Sequence, residues 1–180
     1  MTHIVRLIAA FVVAASPAKA AADWQEYVYP DDRFAIQFPA EPSLRTAPYD
    51  TLITSGLSAN IYSVEFENIL FRATVVTLDG LMEDGANFVV EAAYVVQHLD
   101  NVDVISSDFP RIGFDRDAPV IFGLTVVADT PDGRRIRSSS YVTNGRLYKI
   151  EAIVLPARGD KDQAVPSRFD QTLRFDVPEP

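Results

Sequence analysis

The chain has 180 residues, 48% of them apolar and 23% charged, with 16 Lys plus Arg against 25 Asp plus Glu and no cysteine. Length and hydrophobic content point to one globular domain with a true core, because a domain of about 150 residues buries roughly 68–70% of the surface its unfolded chain exposes; they exclude intrinsic disorder. The absence of cysteine excludes disulfides, thiolate catalysis, Cys-ligated zinc and lipid attachment through cysteine.

Residues 1–20 hold no acidic side chain, carry Arg6 near the start, and run apolar from Leu7 to Ala15 before a stretch of small residues. This is the pattern of a secretory signal peptide, with the apolar run about half the ~20 residues that a membrane-spanning helix needs. Ala18 and Ala20 supply small side chains where the peptidase must accept them, so cleavage is expected after Ala20, leaving Ala21 as the new N-terminus. Without Arg6 and Lys19 the 16 basic side chains become 14 against 25 acidic ones, a net charge of −11, and His98 is the histidine that remains. Such a surface repels nucleic acid and anionic lipid, both of which need a basic patch. No later apolar run reaches membrane length, so the mature chain is expected to be exported without a span, to the periplasm first and otherwise to the extracellular space.

From residue 21 the chain reads as one domain, 21–180. Phe34-Ala35-Ile36-Gln37-Phe38 alternates strictly and is closed by Pro39-Ala40-Glu41-Pro42, which predicts a half-buried strand. Residues 43–59 predict a loose hairpin, with Leu44, Leu52, Ile53 and Leu57 set among the turn formers Pro48, Asp50 and Gly56. Alternation returns at Tyr62, Val64 and Phe66 and again over residues 71–77, giving two antiparallel strands broken near Asn68. The period then changes to about 3.6: Ala86, Val89, Ala93, Val96 and Leu99, with Phe88 and Ala92 beside them, predict a long helix over 83–99. A short strand follows at 102–107, then a loop over 110–117. Three strands close the sheet, at 119–128, 135–143 and 146–155, joined by Thr130-Pro131-Asp132-Gly133 and by Asn144-Gly145. The first of these is apolar on both faces and reads as a central strand covered on both sides. Pro166 opens a short C-terminal helix in which Phe169 and Leu173 stack at i and i+4. Together these predict an α+β fold: an α/β/α sandwich with a central antiparallel sheet of about six to seven strands, the long helix on one face and the short C-terminal helix on the other.

In order along the chain, Tyr27 with Tyr29-Pro30-Asp31-Asp32-Arg33 and the following strand to Pro42 resembles the opening of the PsbP-like superfamily. Gly145-Arg146-Leu147-Tyr148-Lys149-Ile150, and later Arg168-Phe169-Asp170-Gln171-Thr172-Leu173-Arg174-Phe175, are similar to the final strand and helix of its bacterial members. That superfamily includes an extrinsic photosystem II subunit, a small nuclear import factor and many secreted bacterial proteins of unknown role. The resemblance implies the α/β/α sandwich and mostly accessory or binding roles, and it carries no catalytic residue across. The metal-binding histidines of some relatives find no counterpart in this sequence.

Chemistry-bearing patterns are sparse. His98 near the end of the long helix, with Asp100 and Asp103, would suit either a helix-end cation or a metal, but the three straddle a helix terminus without ligand spacing. There is no G-x-S-x-G elbow for a serine hydrolase, no D-x-D-x-D-G calcium loop, and no phosphate-binding glycine loop among the eight glycines. No cofactor is therefore expected. Asp31 and Asp32 read as turn formers, Glu65 and Glu67 as a strand's solvent face, and Glu83 and Asp84 as helix-start charges. Against this acidic background Arg134, Arg135 and Arg137, with Tyr141 in phase, and Arg146 and Lys149 on the partner strand form a candidate row for an anionic ligand or an acidic partner surface, or else a charged solvent face. The reading is an exported, non-enzymatic accessory or binding protein of the cell envelope, bound to a protein partner or small ligand. The alternatives are a carboxylate-based or metal-assisted hydrolase of the periplasm and a structural or stress-related envelope protein.

Overall fold

The computed structural model describes residues 23–98, 102–113, 120–155, 163–175 and 177, and for Met82, Gln97 and His98 the backbone alone. Strands β1 (Gln25–Tyr29) and β2 (Phe34–Phe38) pair antiparallel as a ribbon of their own. Their turn is closed by Asp32 N–H to Tyr29 O and Arg33 N–H to Pro30 O, with Arg33 at φ 56°. The rest of the strands make one antiparallel sheet: β3 (Ser43–Tyr49), β4 (Leu57–Phe66), β5 (Ile69–Thr77), β6 (Asp103–Asp108), β7 (Arg111–Ile112), β8 (Ile121–Asp129), β9 (Arg135–Thr143) and β10 (Arg146–Val154). Their order across the sheet is β3-β4-β5-β10-β9-β8-β6, with β7 paired to the start of β8. A 3₁₀ turn at Met82–Asp84 leads into α1 (Gly85–His98), and α2 (Ala164–Gln171) comes last.

The sheet has two covered faces. Phe88, Ala92, Ala93 and Val96 form the buried stripe of α1, and they lie against Ala59, Ile61, Val76 and Leu147 toward one end and Val126 and Ala128 toward the other. The opposite face presents Tyr62, Phe71, Ala73, Tyr148 and Ile150 to Phe34, Ile36 and Phe38 of the ribbon and to Phe169 and Leu173. The architecture is the α+β sandwich that the periodicity predicts, with the β1–β2 ribbon sharing the α2 face.

Three expectations are corrected. The 34–38 strand is buried almost throughout, not half-buried, because Phe34, Ile36 and Phe38 pack on the sheet while β1 pairs with one edge and residues 172–174 bond to the other. Residues 43–59 do open a hairpin, but its arms are long and regular and not loose, with Ser43 opposite Ser63 through Tyr49 opposite Leu57. The central strand is β10, whose residues from Leu147 to Val154 are all buried. The strand read as central, β8, lies next to the edge, and on its α1 face Phe122 stays 60% exposed. Its two-sided apolar pattern is used only over residues 125–128.

Candidate functional site

The two-residue turn at Asn144-Gly145, with φ of 52° and 73°, sets the register of β9 on β10: Arg146 opposite Thr143, Tyr148 opposite Tyr141, Ala152 opposite Arg137. In this pairing odd residues of β9 share a face with even residues of β10. Arg135, Arg137, Tyr141 and Arg146 therefore lie on the α2 face, whereas Lys149 lies opposite Ser140 on the α1 face. The expected row is thus divided, and its cations meet carboxylates of the same chain. Arg135 holds Asp129 with Nε and Nη2 at 2.8 and 2.9 Å. Arg137 Nη2 lies 2.9 Å from Asp170 Oδ2 on α2, and Arg134 Nε lies 2.8 Å from Asp132. Hydrogen bonds from Thr130 and Arg134 hold the Asp132 carboxyl below its usual range. Tyr141 is buried, and desolvation followed by the nearby Asp170 pushes its phenol well above the ordinary value.

Lys149 belongs to a second cluster. Its Nζ sits 3.0 Å from Glu151 Oε1, and Arg72 Nη2 sits 2.8 Å from Glu151 Oε2. Burial raises the Glu151 pKa, but Lys149 and Arg72 outweigh it, so the carboxyl is held below its ordinary value. Tyr49 nearby is pushed up to about 12 by burial and by Glu151 and Glu91. Two charges spaced by two in an otherwise apolar strand were the sequence signal for this buried pair.

The aromatic residues Trp24, Tyr27 and Tyr29 pack inward. Trp24 meets Phe71 edge-on at 5.4 Å and carries Arg168 over its ring, while Tyr27 meets Phe38 at 5.9 Å. Tyr29 stacks on Phe34 at 4.9 Å and touches Tyr62 at 4.0 Å.

Around the β1–β2 turn these contacts build a site. Asp32 is 5% exposed. Its Oδ2 accepts from Tyr62 Oη at 2.6 Å and Asn60 Nδ2 at 2.9 Å, and its carbonyl accepts from Tyr148 Oη at 2.8 Å. Arg146 donates to the Asp31 carbonyl at 2.8 Å, with its Nε 3.8 Å from Asp32 Oδ1. The turn is therefore fixed to β4 and β10, and its outer side frames a half-open cavity of about 260 Å³. Val28, Tyr29, Pro30 and Asp31 form one wall, Pro42 and Leu44 the other, and Tyr62 the floor. Desolvation, and for Tyr62 the hydrogen bond to Asp32, raises both phenols far above neutrality. Both stay protonated, and Asp31, exposed to solvent, is the charged residue of the lining. Arg146 is the member of the expected row that holds this turn, through the Asp31 carbonyl.

Ala18, Ala20, Ala21, Asp100 and the His98 side chain lie outside the described residues. Asp103 is exposed at the start of β6. Among the described residues no three His, Cys, Asp or Glu side chains converge as a metal would need, and no helix is long and apolar enough to cross a membrane.

No family model and no curated protein matches the chain. Among solved structures, it is similar to the solution structure of cyanobacterial PsbP (CyanoP) from Synechocystis sp. PCC 6803, at 15% identity and a TM-score of 0.49, over 90% of this chain and 98% of that chain.

Proposed function

We propose that this is an exported, non-enzymatic accessory or binding protein of the cell envelope, periplasmic, which receives its partner or ligand at the β1–β2 turn. The observation that carries the reading is the cavity itself: aliphatic and proline walls, neutral phenols and one carboxylate at the rim. Acid–base hydrolysis needs two titratable groups whose pKa values are driven apart in one cleft, whereas retention of a ligand needs apolar walls and a small number of orienting polar groups. This lining matches the second description. The N-terminal leader pattern supports export.

Two measurements test it. Fractionation of expressing cells with N-terminal sequencing is expected to give a periplasmic chain beginning at Ala21; a cytoplasmic, unprocessed chain overturns the export reading. A fragment screen followed by amide NMR is expected to place hits at Val28, Asp31 and Leu44. Hits that gather elsewhere overturn the site.

A further inference from the structure

We infer that the cavity receives the cationic side chain, Lys or Arg, of an extended partner peptide with apolar neighbours. This rests on the binding reading above and assigns its ligand class. Asp31 is exposed at the rim, and among the described residues no cation or donor engages its carboxylate. Its own carbonyl, not its carboxylate, takes the Arg146 hydrogen bond. Arg146 faces the inner carboxylate, Asp32. Among the described residues the outer carboxylate thus has no ion pair of its own, and it stands beside apolar walls.

Val28 and Leu44, 47% and 58% exposed, offer aliphatic surface at the mouth. A Lys or Arg side chain fits such a lining, because its hydrocarbon stem covers apolar surface while its head remains at the rim carboxylate. A carboxylate ligand would meet Asp31 as a like charge, and the net charge of −9 favours the approach of cations over anions. The occupant is taken as a peptide because Leu44 lies on β3, an edge strand paired on one side by β4. An extended segment added along Ser43–Ala47 would place every second side chain toward the cavity face, and Pro48 limits the ladder beyond.

The test is an amide NMR titration of the ¹⁵N-labelled protein with acetyl-Leu-Lys-Leu-amide, its Glu counterpart and n-butylamine. The Lys peptide is expected to shift Val28, Asp31 and Leu44 saturably, with the Glu peptide weaker by about tenfold or more. Asp31→Asn is expected to bring the Lys peptide down to the affinity of the Glu peptide. Its melting temperature should stay unchanged, since the side chain makes no internal bond among the described residues. Leu44→Ser is expected to weaken the Lys peptide with Asp31 intact. Equal shifts from both peptides would leave the binding reading standing and overturn the cation. Butylamine binding as tightly as the Lys peptide would overturn the peptide strand. A Lys peptide that moves residues elsewhere and not these would overturn both.

Discussion

Asp32 ties together residues far apart in sequence: Tyr62 is 30 positions away and Tyr148 is 116. Replacement by Ala removes an acceptor for two donors at a buried site, and hydrogen bonds to charged groups are each worth about 1.5–3 kcal/mol. Asp32→Ala is therefore expected to lower stability by about 2–4 kcal/mol in denaturant unfolding, Asp32→Asn by less because an acceptor oxygen remains. An Ala variant within about 0.5 kcal/mol of the native chain would show that the turn is held by packing alone. Both aspartates were legible as turn residues, since Pro30-Asp31-Asp32 has turn chemistry. That one points inward and the other outward was not legible, because the partners that decide it come from β4 and β10. Glu151 makes the complementary case. Its folded pKa lies below the ordinary 4.5, with Lys149 and Arg72 outweighing burial. The unfolded chain therefore binds a proton first as pH falls, and the stability this carboxylate contributes is full above about pH 4.5 and lost progressively below it. Glu151→Gln is expected to lower stability near neutrality by about 2–4 kcal/mol, leaving two cations without their anion, and to flatten the acid limb of the stability profile. An unchanged acid limb would assign that limb to other carboxylates.

Turn chemistry fixed the elements best where it is strictest. The β9–β10 hairpin and its Asn144-Gly145 turn came directly from the residues, and β9 begins and ends where its alternation does. Parity across that hairpin is what moved Lys149 away from the arginines: one residue of phase carries a side chain to the other face. β1 carried no separate strand signal, since its pairing with β2 is a tertiary fact. The helix stripe was legible at Phe88, Ala92, Ala93 and Val96, whereas Ala86 faces solvent because it lies two residues from Phe88, about 200° around the helix. Gly123 has an element-level reason that no alternation pattern contains: a Cβ there would run into the Tyr141 ring, directly across the β8–β9 ladder. Gly123→Ala is expected to cost about 1–3 kcal/mol through overpacking, read as a lower melting temperature. Pairing it with Tyr141→Phe should not restore the loss, because the ring and not the hydroxyl is the obstacle; restoration by Phe would locate the strain in the hydroxyl's hydrogen bonds.

One sheet serves two cores, and this sets how the whole molecule opens. β10 contributes Leu147 to the α1 side and Tyr148, Ile150 and Ala152 to the ribbon and α2 side. Neither layer can leave without exposing half of the same strand, so the two cores are expected to unfold together. The sheet's margins differ. Every residue of β6 is exposed, and its pairing with β8 shifts register between Val104 and Ser106. β3 at the other margin is exposed through Thr46. Local openings draw on segments with little buried apolar contact and leave the best-covered strands to global unfolding. Native-state hydrogen exchange at low denaturant is therefore expected to give β10 and β5 amides the free energy of global unfolding, with β6 exchanging through smaller openings that leave the β9–β10 ladder intact. β3 should gain protection when a peptide pairs along it, whereas β6 should not, and this separates edge pairing at the cavity from general stabilisation. Equal protection of β6 and β10 would mean that the sheet opens only as a whole, and that its exposed edge is held by more than the ladder to β8.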